Sequence, residues 1–315
     1  FRETGAAMEK LSLGGPLDFI SPYRLARLMD AQPEEKIVIH VHNFKDARIA
    51  GIAKRLCKRK DIRLVCTRHL VRNGKRGAIW KRIYEAIDRL IFVSDVARRN
   101  FLSTNPPVVK DRICVVHNSI VIPKTYAGYM PAAREDKEPP VILYCGRIDP
   151  EKGIELLMEA LGELRQRDWK LRIVGTGNPV YTASLRRRAE QAGISDRIEW
   201  AGFRENVYEE IRKADICVAP SIVKESFGLN IIEFMSQGRP TVTTDNGAQP
   251  EIITDGYDGM LVPPADPQAI ARTLELLMKD DVLRSKIGRN AAATFSNRFS
   301  YDRFFTRILN IYKEL

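Results

Sequence analysis

Short apolar runs of β-branched character alternate with helix-patterned segments along most of this 315-residue chain. A first series places strand-like runs at 37–42, 63–67, 89–94 and 113–118, with helical spacing at 47–60 and 79–87 between them. A second series begins at Val141, includes helix-patterned segments at 152–167 and 267–279, and continues to the amphipathic tail at 301–315. Because β–α–β alternation is typical of parallel sheets covered by helices, the sequence predicts two doubly wound α/β units.

A proline-rich, polar segment at 123–140 separates the two series and predicts an interdomain linker. We therefore expect an N-terminal domain over residues 1–130 and a C-terminal domain over residues 131–296. We expect the last segment, 297–315, to be a helix that packs back on the N-terminal domain. In doubly wound sheets, ligands bind at the carboxyl ends of the strands, so the chemistry should lie there.

The net charge of +11 is concentrated in one region. Residues 51–100 hold 15 Lys and Arg but 4 Asp and Glu, which accounts for the whole excess. Such a concentration favours an anion-facing surface, although a solvated helix face is the simpler alternative. The five cysteines are scattered without metal-site spacing, which favours reduced residues of a cytoplasmic protein. No apolar run approaches the roughly 20 residues of a membrane-spanning helix.

The first motif with chemical content is CGRIDPEKG at 145–153, where a strand ends at a glycine turn and a helix follows. Gly146 permits the turn, and Arg147 and Lys152 flank it. Free backbone amides at the helix start and two cations would suit a phosphate group. An ordinary strand-to-helix turn with exposed basic residues is the alternative.

The turn at Gly175–Gly177 also follows a strand, and glycines there would let a nucleotide approach the backbone closely. Taken alone, this signal is weak, because many such turns are only turns.

The third motif runs from Lys224 through the helix-patterned segment 228–237. Its helix start predicts backbone amides that could bind a pyrophosphate. Those amides belong to four consecutive residues: Ser226, Phe227, Gly228 and Leu229. Glu225 and Glu233 lie about two turns apart and would bind sugar hydroxyls or stabilise positive charge on a sugar ring, rather than bind phosphate. The apolar flanks of Glu233 predict a largely buried helix, in which a lone acid needs a partner.

Together these segments resemble the retaining GT-B glycosyltransferases of family 4. GRIDPEKG is similar to that family's G-R-x(3–4)-K-G turn, and ESFGLNIIE is similar to its E-x7-E element. The segments VGTG, GF at 202–203, APS at 219–221 and GMLVPP at 259–264 follow in the same order. The resemblance implies a GT-B fold, in which two Rossmann-like domains face a cleft.

The N-terminal half is similar to the family in the order of its strand-end motifs, which are HVHN, TRH, FVS and VHNSI. By resemblance, His69 would lie near the donor sugar in the cleft; without that context it reads as a histidine in a basic loop. Family members begin with a strand and a glycine-rich loop. LSLGGP at 11–16 does not follow a strong strand, so we expect either that the N-terminal domain lacks its first strand or that this strand lies outside the given sequence.

The resemblance implies transfer of a hexose from a UDP-, GDP- or ADP-sugar to a glycan or lipid-linked acceptor, with retention at the anomeric carbon. Arg147 and Lys152 would neutralise the leaving diphosphate, Glu225 would hold sugar hydroxyls, and Glu233 the ribose. We expect the choice of base to rest on the shape of the loop at Phe203–Val207, and the base itself stays open. The chain contains no Asp-x-Asp, and we expect neither a metal nor a tightly bound cofactor.

Residues 54–99 mix cations with aromatic residues and predict contact with an anionic membrane surface, on the inner face of the membrane. Such a surface suits the biosynthesis of polysaccharides or glycolipids. Two other classes compete with a transferase. A nucleotide-sugar epimerase of GT-B fold would share the donor pocket and turn over donor without acceptor. A nucleic-acid-binding protein would explain the basic region but leave the acidic pair without purpose, so we expect no nucleic acid partner.

Overall fold

The computed structural model describes residue 18 and residues 20–131 and 138–315. The chain divides into two compact units. The first unit contains the described residues through Val93, together with 97–115 and 309–315; the second contains 94–96 and 116–308.

The division at Val115–Val116 differs from the boundary at 130 that the linker composition predicts. The reason is aromatic packing within the second unit. The ring of Tyr126 stacks on Tyr208 with 5.5 Å between centroids, and the guanidinium of Arg212 lies 4.4 Å from the centre of the Tyr126 ring. The polar segment is therefore held within the second unit at Tyr126, through contacts with residues distant in sequence.

In the first unit, the described strands form a four-stranded parallel sheet in the order β1-β2-β3-β4. The strands are β1 (Ile37–Val41), β2 (Ile62–Arg68), β3 (Arg89–Phe92) and β4 (Ile113–Val115). The helices of this part of the chain are α1 (Ile20–Asp30), α2 (Phe44–Leu56), α3 (Ala78–Ala86) and α4 (Asp95–Leu102). β2 is buried on both faces, as expected for a central parallel strand, and its core neighbours include Phe92 and Phe101.

In the second unit, the described strands form a six-stranded parallel sheet in the order β10-β9-β8-β5-β6-β7. The strands are β5 (Val141–Cys145), β6 (Lys170–Val174), β7 (Ile198–Gly202), β8 (Ile216–Ala219), β9 (Thr241–Thr244) and β10 (Met260–Val262). The chain order moves outward from β5 to β7 and then reverses at β8. The loops after β5 and β8 therefore lie at the topological switch point, where open α/β sheets bind ligands.

Helices connect these strands and close the chain. They are α5 (Ile154–Glu163), α6 (Pro179–Gln191), α7 (Val207–Lys213), α8 (Leu229–Ser236), α9 (Gln249–Ile252), α10 (Pro267–Lys279), α11 (Asp281–Thr294) and α12 (Tyr301–Glu314), with a π-helical turn at Phe295–Phe299 between the last two. Asp266 caps α10 by accepting a hydrogen bond from the amide of Ala269, so the helix begins where the sequence predicted.

The end of α12 packs within the first unit. The Tyr312 hydroxyl lies 2.6 Å from Nδ1 of His40, and Nε of Arg63 donates to the carbonyl oxygen of Leu315 at 2.7 Å. These contacts hold residues 309–315 beside β1 and β2. The predicted segment LSLGGP lies outside the described residues, and none of the described helices combines the length and apolarity needed to cross a membrane.

Candidate functional site

An ion pair joins the two motifs that the sequence singled out in the second unit. Nζ of Lys152 lies 2.5 Å from Oε1 of Glu225, although the residues are 73 positions apart. Both side chains are about three-quarters buried. The Ser221 hydroxyl donates to the same carboxylate oxygen at 2.7 Å. The loops after β5 and β8 therefore present one connected polar site, as the switch point requires.

Close backbone contact explains how these two loops are held together. The amide of Ile222 donates to the carbonyl oxygen of Glu151 at 2.9 Å. Gly153 has a φ of +70°, and a Cβ atom there would lie 2.0 Å from the carbonyl oxygen of Pro220. Only glycine fits such a position without moving the neighbouring backbone. The glycine of the first motif thus brings Lys152 to the loop that carries Glu225.

Five amides of the 146–153 turn are paired within the second unit and so are not available to a phosphate. Gly146 and Ile148 donate their amides to the carbonyl oxygens of Val174 and Thr176, because the β5–β6 pairing continues beyond the strands. The amides of Glu151, Lys152 and Gly153 are also occupied, within a 3-10 turn that begins at Pro150. The turn can offer a phosphate its two cationic side chains instead.

Arg147 is the exposed cation of this turn. Its side chain is 71% exposed and lies 3.4 Å from the Asp149 carboxylate. The Tyr144 hydroxyl donates to the carbonyl oxygen of Arg147 at 2.6 Å and so holds the backbone from which the guanidinium projects. Arg147 can move to meet an anion, whereas Lys152 is already fixed by Glu225.

The start of α8 provides the backbone donors that the first turn lacks. The amides of the four residues that lead into this helix donate to no residue that the structure describes. These residues are Ser226, Phe227, Gly228 and Leu229. Unpaired amides at a helix start attract anions. The Phe227 ring is buried against His117, so this residue can serve a ligand through its backbone.

Glu233 lies on α8, largely buried, and burial raises its pKa to about 7. Within the described part of the chain, its carboxylate has no hydrogen-bond donor. The hydrogen-bond partner that the sequence predicts for this buried acid is thus not found among the described residues. A hydroxyl-bearing ligand could supply the missing donor.

The glycine turn after β6 lies beside the same sheet edge. Gly175 has a φ of +136°, and a Cβ there would lie 1.9 Å from the carbonyl oxygen of Gly146. Gly177 forms a parallel bridge with Ile148. A cavity of about 370 Å³ opens under this turn. Its lining includes Gly175, Thr176, Gly177, Arg186, Trp200 and Gly202. The adjacent Phe203 is 72% exposed, which leaves its ring available to a ligand.

Glu251, which the sequence could not assign, is a structural anchor inside the second unit. Its carboxylate accepts hydrogen bonds from the amides of Asp95 and Val96 at 2.7 and 2.6 Å. Nε2 of His117 lies 3.3 Å from the same carboxylate. These contacts hold the pKa of Glu251 below its usual value, although burial alone would raise it. No signal in the local sequence distinguished this role.

In the first unit, His69 follows β2 and lies in a row of three histidines. Nε2 of His69 is 3.0 Å from Nδ1 of His42, and the His40 ring stacks on the His42 ring with 4.7 Å between centroids. The parallel register places Val41 opposite Cys66, so the residues that follow both strands emerge at one edge. The sequence singled out His69 but did not predict the row; the strand-end position of both HVHN and TRH was the available signal.

The basic region at 54–99 is partly neutralised within the first unit. Lys54 pairs with Asp88 at 2.6 Å, and Arg89 lies 3.4 Å from Glu314. Tyr84 is buried, with its hydroxyl bonded to the backbone of Lys75, so it cannot join an exposed aromatic surface. Ile79 is 71% exposed.

The two parallel-sheet units allow comparison with solved structures of the same fold. The fold matches that of solved GT-B glycosyltransferases, which confirms the expected fold class. One of them is the Anabaena HepE protein in complex with UDP, with a TM-score of 0.79 over 93% of this chain and 82% of that chain, at 20% identity.

Residues 129–294 match the family model described as glycosyl transferases group 1, and the chain belongs to that family. Residues 6–122 match a second model, described as Glycosyltransferase Family 4. The chain is 32% identical to the alpha-D-kanosaminyltransferase of Streptomyces kanamyceticus, over 56% of this chain and 46% of the relative. It is 30% identical to the phosphatidyl-myo-inositol mannosyltransferase of Mycobacterium leprae, over 73% and 60%. The chain thus spans about half the length of the relatives it matches.

Proposed function

We propose that the protein is a retaining glycosyltransferase that moves a hexose from a nucleoside-diphosphate sugar to an acceptor hydroxyl. The observation that carries this proposal is the Lys152–Glu225 pair beside the unpaired amides at the start of α8. A cation and backbone donors suit the diphosphate, and carboxylates suit the hydroxyls of the sugar and ribose. One site in the second unit thus combines groups for both ends of such a donor.

In the reaction, the bond between the anomeric carbon and the diphosphate oxygen breaks, a bond to the acceptor oxygen forms, and the proton of the acceptor hydroxyl passes to the departing diphosphate. Negative charge grows on the leaving diphosphate. Lys152, Arg147 and the amides of 226–229 would stabilise this charge, and each cation is worth about 3 kcal/mol by analogy with oxyanion donors. Lys152 must then exchange part of its contact with Glu225 for the phosphate, which frees that carboxylate to hold sugar hydroxyls.

Glu233 is proposed to hold the ribose. Its carboxylate lacks a donor among the described residues, and a ribose offers two vicinal hydroxyls. His69 is proposed to act on the transferred sugar, as the resemblance to the family implies. Gly146, Gly175, Gly177 and Phe203 would shape the remainder of the donor site. The complex of the HepE protein with UDP supports a uridine nucleotide as the first donor to try.

The acceptor is proposed to be a glycan or a lipid-linked molecule. The phosphatidyl-myo-inositol mannosyltransferase among the relatives supports a lipid-linked acceptor. The exposed Ile79 and the neighbouring cation Lys75, which lies 4.7 Å from the centre of the Trp80 ring, support contact with an anionic lipid surface.

The donor proposal is tested by a thermal-shift panel of UDP, GDP, ADP and their sugars. We expect one nucleotide to raise the melting temperature of the wild type. Arg147→Ala and Lys152→Ala should remove that shift, and Lys279→Ala, which changes an exposed lysine paired with Glu275, should leave it intact. Equal shifts in wild type and in both site variants would exclude the assigned diphosphate site.

The metal-independent, retaining course is tested with the same donor. Transfer should persist in EDTA, and the product should show the anomeric configuration of the donor by proton NMR. Loss of turnover in EDTA, or an inverted product, would contradict this part of the proposal. Turnover of donor without acceptor to an epimeric nucleotide sugar would instead indicate an epimerase.

Membrane contact is tested by sedimentation with liposomes that contain an anionic lipid, at low salt. Wild type should sediment with them and Ile79→Asp should sediment less. Absence of wild-type binding to anionic liposomes would show that the surface at 54–99 does not contact membranes.

A further inference from the structure

The three histidines of the first unit form a hydrogen-bonded and stacked row that the proposed reaction does not by itself explain. His42 and His69 face each other through Nδ1 and Nε2 at 3.0 Å, with ring centroids 5.3 Å apart. His40 stacks on His42, and its two nitrogens lie 2.6 Å from the Tyr312 hydroxyl and 2.7 Å from the Thr67 hydroxyl. The row therefore runs from a half-buried ring to an exposed one.

The His42–His69 contact limits where protons can lie. A neutral imidazole has one nitrogen that donates and one that accepts, so a single proton must lie between the two facing nitrogens. If His42 donates it, Nδ1 of His69 carries the second proton and is a donor. If Nε2 of His69 donates it, Nδ1 of His69 is an acceptor. The His42 ring thus determines whether Nδ1 of His69 donates or accepts a hydrogen bond. Nδ1 of His69 has no hydrogen bond to any described residue.

The same contact opposes a charged row. Both rings cannot be cations, because both facing nitrogens would then carry protons. Among the described residues, the other titratable or charged groups that act on the row are His40 on β1, Arg68 on β2 and Tyr312 on α12. Burial, His42 and Arg68 lower the pKa of His69, and burial with the two other histidines lowers that of His40 to about 4.

We propose that His42 is a positioning residue that fixes the tautomer of His69 and keeps it uncharged. His69 then presents one defined nitrogen, Nδ1, to the transferred sugar; this last step rests on the proposed function. A sugar hydroxyl can accept or donate, so a fixed tautomer selects the orientation in which that hydroxyl binds.

Two variants separate this role from simple packing. His42→Phe keeps an aromatic ring for stacking on His40 but removes both nitrogens. His42→Asn restores a polar atom near the position of Nδ1. With UDP-glucose as the probe donor, we expect His42→Phe to lower kcat for transfer or hydrolysis about tenfold, the value of one hydrogen bond, with KM for UDP-glucose almost unchanged.

The pH profile supplies a readout that a packing defect would not move. Since His42 lowers the pKa of His69, its removal should shift the acidic limb of the kcat profile to higher pH. His42→Asn should recover most of the lost rate. A rate loss in both variants with an unshifted acidic limb would overturn the proposal.

Imidazole nitrogen-15 NMR of the wild type and His42→Phe tests the inference without any activity. We expect one dominant tautomer of His69 in the wild type, and a tautomer mixture with a higher pKa in the variant. Identical tautomers and pKa values in both proteins would refute the role of His42. If the NMR result is as expected but UDP-glucose and the other nucleotide sugars neither bind nor react, the proposed function fails while the tautomer control stands.

Discussion

The polar sites of the two units consist of different kinds of groups. In the second unit, loops, glycines and unpaired amides provide most of the site, and one ion pair, Lys152–Glu225, connects them. In the first unit, the site is a row of side chains, His40, His42 and His69, placed by the register of β1 against β2.

This difference indicates which substitutions should disrupt each kind of site. A site formed by backbone groups depends on a few glycines, because other residues cannot adopt their conformation without strain. A site made of side chains depends on its hydrogen bonds, each of modest net value. Substitutions should therefore cost more in the second unit than in the first.

The largest effect is expected at Gly153. Gly153→Ala forces a Cβ to 2.0 Å from the carbonyl oxygen of Pro220 at a φ of +70°. We expect the free energy of unfolding to fall by about 3 kcal/mol, measured by chemical denaturation. Gly162→Ala is the matched control, because its Cβ would meet the Cβ of Ala192 at an ordinary 3.5 Å and should be neutral or stabilising. Equal stabilities of the two variants would show that the close contact at Gly153 does not require glycine.

The second effect concerns catalysis. Lys152→Ala should lower kcat/KM roughly 10²-fold, or about 2.7 kcal/mol, because it removes a fixed cation from the leaving diphosphate. Steady-state kinetics with the donor identified by thermal shift measures this. Lys279→Ala should behave as wild type. A fall of less than threefold in Lys152→Ala would show that the α8 amides act without this cation.

The third effect is a pH dependence of stability from Glu233. Since its pKa rises from 4.5 to about 7 on folding, the folded protein keeps a proton that the unfolded chain has lost. The stability from this proton is complete below pH 4.5 and is lost as pH rises through 7. Glu233→Gln should therefore be more stable than wild type at pH 6, by about 2 kcal/mol, and should not be so at pH 4.5.

Urea unfolding at the two pH values measures this difference. Glu159→Gln, on the exposed side of α5, is the control and should match wild type at both. A parallel pH dependence of Glu233→Gln and wild type would contradict the burial of a lone carboxyl in the donor-side site.

The smallest effect is expected in the first unit. Tyr312→Phe removes the hydroxyl that lies 2.6 Å from Nδ1 of His40. The loss of one hydrogen bond should reduce the free energy of unfolding by about 1 kcal/mol, measured by denaturation. Tyr301→Phe, at a 45% exposed position of α12, should change nothing. A loss as large as that of Gly153→Ala would contradict the expectation that substitutions cost more stability in the second unit than in the first.

Much of the fold could be predicted from the sequence. β1 was expected at 37–42 and lies at Ile37–Val41, and α10 was expected and found at 267–279. The helices α4 and α9 and the strand β10 were not predicted, because short elements provide too few repeats of a period to be read. The helix α1, of 11 residues, was also not predicted. The helix predicted at 152–167 begins at Ile154, since Pro150–Lys152 forms a tighter turn.

The sequence by itself determined the α/β class, the family and the residues of the two contiguous motifs, because each of these depends on local periodicity or on residues within one loop. The tertiary structure decided which groups meet. It joined Lys152 to Glu225, paired five amides of the 146–153 turn while leaving those of 226–229 without a partner among the described residues, and placed His42 against His69. These outcomes depend on strand order and register, which connect residues 27 to 73 positions apart and leave no signal in either segment alone.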